Sequence, residues 1–218
     1  ETYGDKFGWS VGISGNYAIV GARGHDAWTE SGERKGNIGT AYIFSFDDST
    51  FNQNNKLMAS DAFEDNGSKY NFGQSVAIDG NYAIVGANYF DTTPLLVNGS
   101  AYIFKNNGNN QWNEVYKINP SDAASSDNFG YSVAISGNYA IIGAYKDDWT
   151  AFDQGSAYIF DVTTGTQVIK LYHGEVDVDD DRFGQSVAIS GNYAIVGAQR
   201  NDTGYAYIYN VTPGDEID

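Results

Sequence analysis

Carboxylates supply most of the side chains in this sequence that could do chemistry. One aspartate recurs four residues after an alanine in each of four similar segments: Asp26 after Ala22, Asp91 after Ala87, Asp148 after Ala144 and Asp202 after Ala198. An aspartate in a turn accepts backbone N–H bonds and fixes the start of a loop. The same residue type on a flexible loop ligates calcium. Both readings stand for these four. A second pattern, Asp177-x-Asp179-x-Asp181, has the alternation of a calcium loop, although Arg182 stands where such a loop needs glycine and no acid follows at the closing position. These seven aspartates are the candidate metal ligands, with calcium the candidate ion. Trp28, Tyr89, Phe90, Trp149 and Phe152 fall in the same variable segments. Beside carboxylates they suit stacking on sugar rings or anchoring a protein partner, unless they fold back as plugs between sheets. Trp28, Tyr89 and Trp149 are the candidate ligand-binding residues. Catalysis has little to draw on. The chain has two histidines, His25 and His173, and no cysteine, and no Ser/His/Asp order surrounds a strained elbow. Paired carboxylates are so abundant that no one pair is informative.

What positions these residues is a repeat. Phe-Gly, then Ser-Val-x-Ile or a close variant, then Gly-Asn-Tyr-Ala-Ile-Val-Gly-Ala occurs four times, from Phe7, Phe72, Phe129 and Phe183. Alternating β-branched residues around Gly-Asn predict a hairpin closed by a two-residue turn, at Gly15-Asn16, Gly80-Asn81, Gly137-Asn138 and Gly191-Asn192. A third strand is expected at Ala41, Ala101, Ala157 and Ala206, and a fourth at Lys56 to Met58, Trp112 to Ile118 and Gln167 to Tyr172. The spacing from Phe to the Ala of Gly-Ala is the same in all copies, whereas the loop from that Ala to the third strand shrinks from copy to copy. The first hairpin is therefore a fixed part and the following loop a free one. The small Gly-Ala pair suits close packing of one sheet on the next. Tyr17, Tyr82, Tyr139 and Tyr193 recur inside the fixed part and are expected in packing. Repeated four-stranded units of this size, without helical periodicity, predict an all-β fold, a β-propeller of four-stranded antiparallel blades. The expected blades are residues 7–60, 72–119, 129–173 and 183–218, in one propeller region over 1–218.

The pattern resembles the FG-GAP repeat, the blade unit of integrin α-subunit propellers. Phe-Gly at 7, 72, 129 and 183 matches the first half of that motif, and Gly-Ala at 21, 86, 143 and 197 the second, without its proline. The resemblance covers essentially the whole chain and implies the fold. For function it implies an adhesion or binding module, or a non-catalytic part of an enzyme. Integrin-type calcium sites lie on a long loop inside the first hairpin; here Gly-Asn closes that hairpin, so those sites are not carried over.

With 28 acidic and 12 basic residues, the net charge is −16. Phosphate backbones need the opposite sign, so nucleic acid is excluded as a natural partner, and an anionic membrane surface is disfavoured. No signal peptide or membrane span is visible, and no disulfide framework is available. Sequons at Asn66, Asn98, Asn201 and Asn210 matter only if the chain is a secreted glycoprotein. The fourth copy stops before its outer strand is complete. Three arrangements fit that: part of a larger propeller, a partner chain completing the ring, or a self-contained ring of four. The resulting expectation is an extracellular or cell-surface binding, adhesion or assembly module, presenting acidic and aromatic loops to a protein or carbohydrate ligand. The alternative is the propeller domain of a carbohydrate-active lyase or hydrolase.

Overall fold

A computed structural model describes residues 4–47, 49–63, 71–88, 99–124, 126–148, 153–173, 180–199, 204–212 and 216–217. The first sheet contains β1 (Phe7–Ser14), β2 (Tyr17–Ala22), β5 (Thr40–Asp47) and β6 (Thr50–Leu57), with a two-stranded ribbon, β3 (Ala27–Trp28) and β4 (Arg34–Lys35), in the loop between β2 and β5. The second contains β7 (Ser75–Asp79), β8 (Tyr82–Ala87), β9 (Ser100–Asn106) and β10 (Trp112–Ile118). The third contains β11 (Ser132–Ser136), β12 (Tyr139–Ala144), β13 (Ser156–Asp161) and β14 (Thr166–Leu171). The fourth contains β15 (Phe183–Ser190), β16 (Tyr193–Gln199), β17 (Gly204–Asn210) and a two-residue β18 (Glu216–Ile217). Strands follow chain order across each sheet, and every neighbouring pair is antiparallel. The fold is an all-β propeller of four blades, joined through their innermost strands β1, β7, β11 and β15. Among the described residues there is no helix, and so none long and apolar enough to cross a membrane.

The repeated turn has one cause. Ser14 pairs with Tyr17 and Ser136 with Tyr139, leaving only Gly-Asn between the strands. The glycine supplies the left-handed backbone, with φ of 53°, 54°, 57° and 55° at Gly15, Gly80, Gly137 and Gly191. One strand differs from expectation. The outer strand of blade 1 covers Thr50–Leu57, well upstream of Lys56 to Met58. Its polar residues hide the alternation: only Leu57 is buried, and Phe51 to Gln53 lie exposed at the rim.

The core does not lie inside blades but between them. One apolar cluster joins Ile19 and Ile43 of blade 1 to Val76, Ile78 and Val85 of blade 2. A second joins Ile84 and Ile103 to Ile135 and Ile142, and a third Ile141 and Ile159 to Val187, Ile189 and Val196. Each joint is then locked by the same polar bond. The Ser10 hydroxyl donates to the Gly73 carbonyl (2.8 Å), Ser75 to Gly130 (2.9 Å) and Ser132 to Gly184 (2.7 Å). The first glycine of Gly-Ala makes room for that carbonyl: a Cβ at Gly21, Gly86 or Gly143 would collide with the carbonyl of Gly73, Gly130 or Gly184. Phe-Gly and Gly-Ala are thus two halves of one blade-to-blade contact.

Candidate functional site

Two of the recurrent aspartates, Asp26 and Asp148, brace the loop between the second and third strands. The Asn37 N–H donates to Asp26 Oδ1 (2.8 Å), and the Asp153 N–H donates to Asp148 Oδ1 (2.6 Å). Asn37 and Asp153 occupy the same place, two residues before Gly39 and Gly155, and both are left-handed, with φ of 53° and 50°. The carboxylate therefore holds a backbone that non-glycine residues seldom adopt. The residues it fixes dock the next blade: the Phe72 N–H donates to Ile38 O (3.2 Å), and the Phe183 N–H to Gln154 O (2.9 Å). Asp26 also accepts from the Arg34 guanidinium. Burial opposes its ionisation, but the Asn37 and Arg34 bonds outweigh it and hold the carboxyl below its usual range. One Asp26 oxygen accepts from an N–H and the other from a guanidinium, which is the anchoring role. Asp91 and Asp202 lie outside the described residues.

The linker acids are less uniform than a solvated run. Asp5, Asp127 and Asp181 each stand two residues before the phenylalanine of a blade, and each is buried. Asp127 and Asp181 belong to the acidic linkers that enter blades 3 and 4, yet neither side chain is solvated. Burial, with Asp147 and Asp148 nearby, pushes the Asp127 carboxyl up to about 6, against the Ala124 N–H that it accepts and the Lys170 ammonium. Asp181 lies 3.9 Å from His173 Nδ1. Asp177 and Asp179, the rest of that candidate calcium loop, are outside the described residues. Among the described residues no three His, Cys, Asp or Glu side chains are grouped to hold a metal.

Lysine organises a further cluster that sequence reading missed, because its parts come from three segments. Lys170 Nζ donates to Asp122 Oδ2 of the preceding linker (2.6 Å) and to Asp147 Oδ2 of its own blade's loop (2.6 Å). The Tyr158 hydroxyl lies within donating reach of the same two carboxylates, at 3.1 and 3.0 Å, with one proton to share between them. Burial works against the Lys170 ammonium, yet the two aspartates raise its pKa. The Asp122 carboxyl, also opposed by burial, is lowered by its bonds to Lys170 and Tyr158.

Of the aromatic candidates, Trp28 is 64% exposed, on the β3–β4 ribbon of the longest loop. Tyr89 and Trp149, with Phe90 and Phe152, lie outside the described residues. Trp28 borders an open groove of about 590 Å³, lined also by His25, Asp26, Arg34, Lys56, Met58 and Phe63. His25 is set by contacts on both ring nitrogens: Nδ1 is 3.2 Å from buried Asp5, and Nε2 faces Lys56 Nζ at 2.8 Å. The recurrent tyrosines pack as expected in the first three blades. Tyr17, for example, lies edge-on to Trp112 at 5.4 Å and donates to Asn110 (2.5 Å).

The outward faces of blades 1 and 4 differ from every face inside a joint. Ile195 and Ile208 of blade 4 are 41% and 44% exposed, whereas their counterparts Ile19, Ile84, Ile141, Ile43, Ile103 and Ile159 are fully buried. On blade 1, Val11 and Ile13 are 69% and 74% exposed, against 7% and 6% for Val76 and Ile78. Phe7 is exposed where Phe72, Phe129 and Phe183 are buried.

The model of the FG-GAP repeat family matches residues 2–44, 51–104, 112–160 and 166–209. Three of these matches begin in an outer strand, cross a linker and end in the third strand of the next blade, so each contains a joint. No curated protein sequence matches the chain. Among solved structures it is similar to the Dos1 propeller, at 15% identity and a TM-score of 0.49, over 92% of this chain and 52% of that one. The chain thus spans about half the length of that propeller.

Proposed function

The chain belongs to the FG-GAP repeat family, and from that premise we propose that it is a non-catalytic interaction and assembly module. It works outside the cell or at its surface. Its two end faces take further blades of the same repeat, and its loop face stays free for a protein or carbohydrate ligand. The observation that carries this reading is the contrast in burial. Positions that are fully buried in three joints are more than 40% exposed on blade 4, and on blade 1 Val11 and Ile13 are open where Val76 and Ile78 of blade 2 are buried. The polar half of the joint is also in place, with Ser186 beside Gly197 as Ser132 is beside Gly143. A blade bearing Phe-Gly therefore has both an apolar surface and a hydroxyl donor to meet.

Exposed Trp28 supports the ligand part of the reading, since an aromatic face at a groove rim suits the C–H face of a sugar. Calcium would enter through the loop and linker aspartates Asp26, Asp91, Asp148, Asp177, Asp179, Asp181 and Asp202, and a melting temperature raised by calcium against a chelator control would support it. The enzymatic alternative needs an acid–base pair in a cleft, and His25, oriented by buried Asp5 at the groove, is where it would be sought.

A second copy of the chain is itself a probe for the end faces. In sedimentation velocity, the wild type should associate as its concentration rises. Ile13→Asp and Ile208→Asp should each weaken association at least tenfold, because burying one isoleucine contributes about 1.5–3 kcal/mol. Both positions are already exposed, so circular dichroism should be unchanged. A wild type that stays monomeric at millimolar concentration contradicts the proposal.

A further inference from the structure

Two positions in the otherwise constant hairpin vary from blade to blade. The residue after Phe-Gly is Trp9, Gln74, Tyr131 or Gln185, and the residue after Gly-Ala is Arg23, Asn88, Tyr145 or Gln199. All are aromatic, amide or guanidinium side chains, and none is an acid, in a chain with 28 acidic residues. One turn presents the first set. The residue before each phenylalanine is left-handed, with φ of 56°, 49°, 57° and 52° at Lys6, Asn71, Asn128 and Arg182. Its carbonyl accepts the N–H of Trp9, Gln74, Tyr131 or Gln185, at 2.9–3.1 Å. These turns stand where the innermost strands begin, on the side where the loops between second and third strands leave. Side chains that vary on a backbone held this tightly suit recognition better than packing.

At blade 1 the two sets meet around an uncompensated positive charge. The Arg23 guanidinium lies over the Trp9 ring, its Cζ 3.5 Å from the ring centre, and Nη1 donates to Gln74 Oε1 of the next blade (2.5 Å). Lys6 Nζ is 5.7 Å from the centre of the same ring. Among the described residues no carboxylate lies within ion-pair distance of Lys6 or Arg23. Burial lowers the pKa of the Arg23 guanidinium, and the Tyr131 phenol, not a carboxylate, acts against that. Arg23 Nε is buried without a hydrogen-bond partner. The edge that Nε shares with Nη2 is the one a carboxylate takes side-on, through two parallel bonds. Asn88, which holds the place of Arg23 in blade 2, is 8% exposed, yet its Oδ1 accepts no hydrogen bond among the described residues. Alternation with Ile84 and Gly86 turns Asn88 towards blade 3 and Tyr131, as Arg23 is turned towards Gln74. Trp9 itself is 49% exposed.

We infer that the rim formed by Lys6, Trp9, Arg23 and Asn88 binds a uronic-acid unit of a carbohydrate. The carboxylate takes the free edge of Arg23 and the Lys6 ammonium in charge-assisted bonds. The sugar ring lies against exposed Trp9, and a ligand hydroxyl donates to Asn88 Oδ1. A cationic ligand is repelled by Arg23 and Lys6, and a neutral sugar leaves both without a counter-charge. The inference deepens the ligand part of the proposed function and does not rest on the end faces.

The probe is glucuronic acid, titrated into the intact isotope-labelled chain and followed on the tryptophan indole N–H signals, of which the chain has four. The Trp9 signal, assigned through Trp9→Phe, should shift saturably at millimolar concentration. Glucose supplies the ring without the carboxylate, and acetate the carboxylate without the ring; each should bind at least tenfold more weakly. Arg23→Gln, which keeps a donor for Gln74, should weaken glucuronate at least tenfold, and Lys6→Gln, at an exposed position, a few-fold. The signal of Trp112, a residue only 4% exposed, reports that each variant is folded. Equal binding of glucose, indifference to Arg23→Gln, or no saturation at Trp9 would overturn the inference. So would acetyl-aspartate amide bound as tightly as glucuronate, since the rim would then be a general carboxylate or acidic-peptide site. A shift of Trp28 in place of Trp9 sinks this inference alone and leaves sugar binding on the loop face. Self-association through Ile13 and Ile208 requires neither Lys6 nor Arg23, so its loss sinks the assembly reading and not this one.

Discussion

At the scale of single residues, two glycines of one hairpin do different work. Gly86 has a carbonyl from the next blade against the place where a Cβ would stand, while Gly137 has open space there but φ of 57°. Gly86→Ala must push two backbones apart and is expected to cost about 3 kcal/mol. Gly137→Ala carries only the left-handed penalty, about 1–2 kcal/mol. Urea denaturation of both variants checks the order; equal losses would mean that the joint yields more easily than its geometry implies. Asp127 gives a pH signature. Its folded pKa, about 6, lies above the ordinary carboxylate value of 3.8, so the folded state holds the proton more tightly. Its contribution to stability is therefore greatest at low pH and falls as pH rises through that interval. Asp127→Asn should gain stability relative to wild type between pH 4 and pH 7, on the order of 1–3 kcal/mol. The amide oxygen can still accept the Ala124 N–H. A wild-type-to-variant difference that does not change with pH contradicts this.

At the scale of elements, the loop between the second and third strands is anchored by its first aspartate and varies beyond it. Asp148→Asn keeps an acceptor for the Asp153 N–H and should be nearly neutral; Asp148→Ala should lose about 1 kcal/mol. Thermal melts separate the two, and they also separate anchor from metal ligand. If Asn and Ala cost alike, and calcium stabilises the wild type but neither variant, the carboxylate is a ligand. The hairpins were legible in the residues because their determinants are local: a positive-φ glycine, an alternating pair of strands, a small residue at the joint. The outer strand of blade 1 was not, because Thr50–Leu57 is mostly exposed and carries no alternation to read. The burial of Asp127 and Asp181 was hidden for another reason. It depends on how the folded chain packs around them, and composition shows only an acidic run. Trp28 was found as an exposed aromatic, but His25, Arg34 and Lys56 around it come from strands and loops that only the fold brings together.

At the scale of the whole molecule, the unit that repeats is the joint. Three apolar clusters lie between four sheets, three serine hydroxyls lock three carbonyls, and three matches to the family pattern cross from one blade into the next. Each blade depends on its neighbours for half of its core, so stability should be shared along the chain as in other repeat proteins. The faces left open on blades 1 and 4 carry the same residues as the closed ones. That is the ground for proposing another blade, and not an unrelated surface, as their partner.

The most direct measurement uses the absence of cysteine from the chain. A single Ile195→Cys variant places one thiol on the open face of blade 4, where it is reached only if nothing covers that face. Thiol labelling should be fast in dilute solution and should slow progressively as unlabelled wild-type chain is added, with Ile13→Asp chain giving much weaker protection. A labelling rate independent of added wild-type chain, up to millimolar concentration, would contradict the claim that this face takes another blade.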